Sequence, residues 1–405
     1  MPPTLTLTDV RRALLSAQRL AAPPPEPATK QAVLATIRRI HALQIDTISV
    51  VARAPYFILW SRLGDYDAKW LDELLAEGAL FEYWAHAACM MPIEEFGLYR
   101  RAMLEPTNRF SHRRAWVTEH HALLSRVRER IVAEGPLRSA DFERTDGRKS
   151  GGWWDWKEEK TALEALFNSG ELMVRRREGF QRLYDLRERV HPTWEDTRVP
   201  STEEATDGLI LHAVRALGIA RADWVRNYLY TVMGTKAATE RRMASLLTSG
   251  QVIGVDVEGW KQPGLVHPAN IGLVERAPTR IANHATLLSP FDPVVADRAR
   301  GRELFGFDYT IECYTPEAKR RYGYFTLPIL YGEALVGRVD AKVHRKQRLF
   351  EVKALHLEPG VEVEAELVAA LRDVLSRCAR WHQADEVVVR KCDPEELASL
   401  LGFSA

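Results

Sequence analysis

Through the first two thirds of the chain, apolar residues recur at the spacing of amphipathic helices; in the last third they alternate with polar residues, as in half-buried strands. Val10, Leu14 and Leu15 give one helical face. Thr8 and Asp9 can cap this helix, and it must end before Ala22-Pro23-Pro24-Pro25, where proline removes the backbone donors a helix needs. Val33, Leu34, Ile37 and Ile40 give a second face from about Thr29. Residues 56–62 and 68–76 read as a third and fourth helix, the last closing at Gly78. Between the second and third lies His41-Ala42-Leu43-Gln44-Ile45-Asp46-Thr47-Ile48-Ser49-Val50-Val51. Read as extended chain, it points Leu43, Ile45 and Thr47 to one side and Gln44, Asp46 and Ile48 to the other, because successive side chains alternate.

A helix running into glycine occurs three times. Leu74-Leu75-Ala76-Glu77-Gly78, Leu166-Phe167-Asn168-Ser169-Gly170 and Leu246-Leu247-Thr248-Ser249-Gly250 each precede an apolar run. Glycine suits the left-handed position that closes a helix, so a strand is expected to start at once. In the second and third copies a further glycine, Gly179 or Gly259, stands before an aromatic, Phe180 or Trp260, and the chain returns through 183–186 or 264–267. Two more helical stretches lie upstream of each of these hairpins, 119–134 with 139–142 and 204–217 with 222–230. Short helices, a longer third helix and a hairpin make a winged helix, and recurrence roughly every 80 to 90 residues implies a tandem array.

From Leu287 onward the texture is that of strands: 309–313, 323–330, 334–343 and 349–357 alternate, with turns at Tyr331-Gly332-Glu333 and Arg345-Lys346-Gln347. A helix over 361–381 and a strand at 386–389 follow. The expected fold class is α+β, tandem winged-helix units followed by a β-rich C-terminal module. The expected boundaries are 1–115 for a first unit carrying the Gln44 segment, 116–198 and 199–285 for the second and third, and 286–405 for the β-rich module with its terminal helix.

A net charge of +1 over 405 residues does not announce a nucleic-acid binder, although a local basic surface is all that phosphates require. Cys89, Cys313, Cys378 and Cys392 form no Cys-x-x-Cys pair, which argues against a disulfide framework or cysteine zinc site and fits a reducing compartment. No metal or other cofactor is expected. The N-terminus lacks the apolar core of a signal peptide, and no run approaches the roughly 20 apolar residues of a membrane span. A soluble, cytoplasmic monomer without a membrane partner is expected.

Gln44 and Asp46 are the residues with the most distinctive chemistry. An amide and a carboxylate sharing one face can hold a water between them, one fixing its direction and the other accepting its proton. Cations gather elsewhere: Arg100, Arg101, Arg109, Arg113 and Arg114, then Arg175-Arg176-Arg177 with Gln181 and Arg182 across the second wing, then Lys319-Arg320-Arg321 and Arg338, Lys342, Arg345, Lys346 and Arg348. Any one such run is usually a solvated face; several on a winged-helix scaffold suggest a track for a phosphate backbone. Aromatics collect at Tyr56, Phe57 and Trp60 and at Phe81, Tyr83 and Trp84 beside His86. Most are expected in the core, with a minority free to stack on an extruded base. The cluster Trp153-Trp154-Asp155-Trp156-Lys157 reads as a core anchor. No phosphate-binding glycine loop, Ser-His-Asp order or His-Glu-x-x-His pattern supports NTP hydrolysis, acyl transfer or zinc proteolysis.

Several blocks together resemble the YcaQ/AlkZ family of winged-helix DNA glycosylases. They are Ala42-Leu43-Gln44-Ile45-Asp46, Glu82-Tyr83-Trp84-Ala85-His86-Ala87-Ala88, Leu287-Leu288-Ser289-Pro290-Phe291-Asp292-Pro293, Leu304-Phe305-Gly306-Phe307-Asp308-Tyr309, and Ala318-Lys319-Arg320-Arg321-Tyr322-Gly323-Tyr324 with Leu327-Pro328-Ile329-Leu330. The resemblance implies removal of alkylated purines from double-stranded DNA and unhooking of interstrand crosslinks. It also implies a catalytic motif of the Gln-apolar-Asp form, here Gln44 and Asp46, typical of the YcaQ-like branch. Candidate DNA contacts are Arg53, Arg62, Tyr83, Trp84, His86, Arg175, Arg176, Arg177, Arg320 and Arg321. Two positions depart from the family pattern: Cys89 where serine is expected and Pro55 where histidine is frequent. A DNA-bound enzyme of this kind is expected at the nucleoid. The competing readings are a winged-helix regulator or architectural factor without catalysis, which gives Gln44 and Asp46 no task, and a catalytically silent homologue.

Overall fold

The computed structural model describes residues 4–24, 27–105, 114–142, 158–275 and 281–404. Arg109, Arg113, the side chain of Arg114 and the cluster Trp153-Trp154-Asp155-Trp156-Lys157 lie outside the described residues. The chain divides into two compact units, each assembled from separated segments. The first comprises Met1–Ala68, Leu211–Tyr228 and Met243–Ala405; the second comprises Lys69–Ile210 and Leu229–Arg242.

The fold is α+β, with helix-and-hairpin motifs ahead of a β-rich C-terminal sheet. The recurrent glycine closes a helix each time: Lys69–Ala76 before the hairpin Leu80–Trp84 and Ala88–Pro92, Glu158–Asn168 before Leu172–Glu178 and Gln181–Leu186, and Lys236–Thr248 before Ile253–Val255 and Gly264–Val266. Gly78, Gly170 and Gly250 have φ of 76°, 72° and 74°, a region other residues adopt only with strain. In the first two copies the glycine N–H reaches the carbonyl of Leu75 or Phe167, and the next N–H reaches that of Leu74 or Leu166. This paired closure satisfies carbonyls that a helix end leaves open. Gly179 and Phe180 both have positive φ, the geometry of a two-residue hairpin turn that matches strand twist.

Three local expectations are corrected. The first helix, Leu7–Ala17, is capped by Thr6 and not by Thr8: Thr6 Oγ1 accepts from the Asp9 N–H while the Asp9 carboxylate accepts from the Thr6 N–H. Residues 309–313 form no strand, because the Tyr309 ring turns inward among Val295, Phe307 and Leu335 and its hydroxyl donates to the Thr326 carbonyl at 2.6 Å. The Gln44 segment is extended only over Leu43–Gln44; beyond it the chain turns.

In the first unit the sheet runs Ala285–Leu287, Leu327–Tyr331, Ala334–His344 and Leu349–Leu357 in antiparallel order. The helix Ala365–Trp381 then carries the chain across, so Glu386–Val389 pairs with Leu349–Leu357 in parallel. Trp381 at the end of that helix packs against Phe57, Trp60 and Tyr66 and donates to the Tyr66 carbonyl at 2.9 Å. The second unit centres on Phe81, Tyr83, Phe96, Tyr99 and Phe167: Phe81 meets Phe96 and Tyr99 edge to face, Tyr83 meets Tyr99 the same way, and Tyr83 also packs at a tilt on Phe167.

Candidate active site

The helix Lys30–Ile40 ends at His41, whose φ of 64° swings the chain out of the helix. His41 is buried and its ring stacks on His212 at 4.2 Å, which fixes where the next residues emerge. Gln44 and Asp46 follow, both half-buried. Asp46 Oδ1 accepts from the Ile48 N–H at 2.8 Å, which locks the carboxylate to its own turn. Among the described residues its second oxygen has no hydrogen-bond partner and no cation pairs with it. Burial raises the Asp46 carboxyl above the ordinary aspartate range, with the Ile48 N–H pulling the other way. Downstream, the Val50 carbonyl accepts from the Val343 N–H at 3.2 Å and the Val51 carbonyl from Arg345 Nη2 at 2.8 Å, tying the segment to the sheet. The result is a carboxylate held in place by one oxygen, with the other available for a proton or a developing cation.

The candidate DNA contacts have diverse fates. Arg62 is wholly buried and forks onto Asp292, with Nη1–Oδ2 at 2.6 Å and Nη2–Oδ1 at 3.0 Å, and it also bonds Gln18 and Ser61. It therefore cannot reach a phosphate; it pins the helix Ala54–Leu63 to the Ser289–Asp292 turn. Arg177 has also been claimed by the interior: with Arg182 it brackets the fully buried Glu82, and its Nη1 donates to the Phe180 carbonyl at 2.7 Å. Tyr83 is a core residue, 3% exposed, its hydroxyl donating to the Asn168 carbonyl at 2.8 Å. Among the wider basic runs, Arg338 is buried against Glu358 and Arg100 is buried against Asp196. These buried cations are taken up by the protein's own carboxylates, Glu82 and Asp292 in the interior and Asp196 and Glu358 nearer the surface, and are not part of a phosphate track.

Other expected residues stay at the surface. Arg175 is the extra residue of a bulge between Val174 and Arg176, a device that re-aims a side chain, and it has no carboxylate partner among the described residues. Arg176 is exposed and pairs with Glu178 at 2.8 Å. Arg321 is exposed, while half-buried Arg320 donates through Nε to the Thr315 carbonyl at 2.9 Å. Arg53 is half-buried at the start of Ala54–Leu63, where Pro55 takes a first-turn position suited to its missing N–H and is itself buried. In the second unit, His86 sits half-buried at the tip of the first hairpin. Cys89 lies beneath that tip, and burial pushes its thiol up to about 12, so it is no nucleophile. Trp84 donates to Asn168 Oδ1 at 3.0 Å and lines a cleft of about 590 Å³ with Arg101, Tyr230, Thr231 and Thr235.

One group of cations escaped the sequence reading because its members are far apart in the chain. Arg39 donates to the Ala17 carbonyl at 3.0 Å and to Asn270 Oδ1 at 2.9 Å, and the buried Asn270 in turn donates to the Arg215 carbonyl at 2.9 Å. Burial, then Arg215 and Arg19, hold the Arg39 guanidinium below the usual arginine range. No carboxylate pairs with Arg19, Arg39 or Arg215 among the described residues. Uncompensated like charges brought together in this way favour an anion.

The profile of the family described as "DNA glycosylase AlkZ-like" matches residues 37–381. The fold is similar to the solved structure of the Streptomyces sahachiroi DNA glycosylase AlkZ, with a TM-score of 0.62 at 19% identity over 96% of this chain and 100% of that one. The matched span includes the Gln44–Asp46 segment, the hairpin bearing His86 and the sheet to which the Asp46 turn is tied. The chain belongs to the AlkZ-like DNA glycosylase family and is a DNA repair enzyme.

Proposed function

We propose that this glycosylase is monofunctional, hydrolyses the N-glycosidic bond of N7-alkylated purines in duplex DNA, and unhooks interstrand crosslinks at the same positions. The observation that carries the reading is Asp46: half-buried, oriented through one oxygen by Ile48, and unpaired with any cation among the described residues. An N7-alkylguanine already bears a positive charge, so the base can depart without a strong acid. The sugar left behind is cationic at C1′, and an anionic Asp46 stabilises it. Water directed by Gln44 attacks C1′ and gives its proton to Asp46. No lysine stands in residues 41–51 to attack the sugar as an amine, so the product is an abasic site in an uncut strand.

The surface cations Arg175, Arg320 and Arg321, with Arg19, Arg39 and Arg215, supply the phosphate contacts, and Trp84 and His86 face the DNA. The segments 1–115, 116–198, 199–285 and 286–405 act as the modules that grip the duplex, one chain per lesion. Its place of work is the nucleoid, where its substrate lies; no helix among the described residues is long and apolar enough to cross a membrane. The direct test is incubation with a duplex carrying N7-methylguanine and chromatography of the released base. Free N7-methylguanine with an intact, alkali-labile strand is expected; strand cleavage without alkali would refute the monofunctional assignment. A duplex with an N7-linked crosslink tests unhooking in the same assay.

A further inference from the structure

Tyr314 is 91% exposed, well beyond Tyr230 at 54%, the next most exposed large hydrophobic residue among those described. It stands third in a tight turn, Glu312–Thr315, closed by the Thr315 N–H on the Glu312 carbonyl at 2.9 Å. A single exposed aromatic is ordinary on a protein surface. This one is unusual in being mounted on a turn fastened at both ends.

The Glu312 carboxylate accepts three successive backbone N–H groups, from Arg321 at 2.8 Å, Tyr322 at 2.8 Å and Gly323 at 3.1 Å. Arg320 Nε reaches the Thr315 carbonyl at 2.9 Å and its guanidinium lies 5.0 Å from the centre of the Tyr324 ring. Gly323, at φ 139°, passes so close to Asp340 that a Cβ there would lie 2.3 Å from the Asp340 carboxylate. Asp340 belongs to the strand Ala334–His344, so the loop is seated on the sheet of the first unit. Arg321 and Lys319 are exposed beside it. The same strand, Ala334–His344, also holds the Asp46 segment, its Val343 N–H donating to the Val50 carbonyl at 3.2 Å, so the loop and the candidate catalytic carboxylate are mounted on one strand; in keeping with this, the neighbouring Cys313 thiol is raised first by burial and then by the negative charge of Asp46.

We propose that Tyr314 is the residue that stacks into the DNA beside the lesion, holding the damaged nucleotide's sugar toward Asp46 while Lys319 and Arg321 take the adjacent phosphates. A ring on a pinned turn loses little conformational freedom on stacking, and every base offers it a face, so the contact is indifferent to sequence. An aromatic wedge partly unstacks one base step and opens the duplex locally. The inference rests on the glycosylase reading only for the position of Asp46.

The test uses the full chain and a duplex with 2-aminopurine next to N7-methylguanine. The parent and Tyr314→Phe should raise 2-aminopurine fluorescence on binding. Tyr314→Ala should lose that rise and bind the duplex about tenfold more weakly, with an unchanged melting temperature because the ring buries almost nothing. An alanine variant that keeps both the signal and the affinity overturns the proposal. Asp46→Asn separates the two readings: it should keep the fluorescence rise while base release stops. If the parent releases no base yet its signal still depends on Tyr314, the stacking role stands and the proposed chemistry fails.

Discussion

Replacing Asp46 by asparagine removes a charge and keeps the shape. The amide oxygen of the new side chain would still accept from the Ile48 N–H, now 2.8 Å from Asp46 Oδ1, so the turn should survive. On the proposed mechanism, what disappears is the proton acceptor and the anion facing the sugar cation. General-base assistance alone is worth about 10²–10⁴ in rate, and the missing charge stabilisation adds to it, so single-turnover release of N7-methylguanine should fall about a thousandfold or more. That corresponds to about 4 kcal/mol of transition-state stabilisation. Stability should move the other way. Burial raises the Asp46 carboxyl, so its ionised form is disfavoured by folding; its contribution is present at low pH and is lost as pH rises through the folded value. At neutral pH the asparagine variant should therefore melt no lower than the parent. Full excision by this variant would remove Asp46 from the chemistry, and a marked drop in melting temperature would contradict the burial argument.

Further outcomes follow from the same structure. Arg62→Met leaves Asp292 as a buried uncompensated charge and should cost about 3–5 kcal/mol in urea unfolding; the double variant Arg62→Met/Asp292→Leu should recover most of that deficit. Hydrogen bonds from Arg100 hold the Asp196 carboxyl down at about 2, so its contribution is present above the ordinary value of 3.8 and lost as pH falls toward 2; the melting difference between the parent and Asp196→Asn should shrink across that window. Burial, then His212, holds His41 well below the ordinary histidine value of 6.5, so its stabilisation is present above 6.5 and lost on acidification; the melting difference between the parent and His41→Asn should narrow as pH falls below 6.5. In Arg19→Gln/Arg215→Gln, the salt dependence of binding to unmodified duplex should weaken by about 0.9 in log–log slope for each phosphate no longer neutralised. An unchanged slope in fluorescence anisotropy would dismiss those arginines as a phosphate site.

Local signals were legible in the sequence because their causes are local. Gly78, Gly170 and Gly250 close their helices where the spacing placed them, since a left-handed residue and the carbonyls it satisfies lie within six positions of one another. The Gln44–Asp46 pair of the proposed reaction could be named as a candidate from local spacing alone. What holds Asp46 could not: the expected strand is only Leu43–Gln44, and the carboxylate is oriented by a turn to Ile48. The fate of each arginine was still less accessible. Arg62 meets Asp292 across 230 positions and Arg177 meets Glu82 across 95, so whether a cation faces phosphate or an internal carboxylate depends on where distant chain is folded. Charge pairing acts through space, and the sequence supplied the cations while the tertiary fold chose their partners. The same holds for Tyr314: nothing in its neighbours along the chain marks it out, and only the folding of Glu312 and Asp340 around residues 320–324 leaves that one ring standing in solvent.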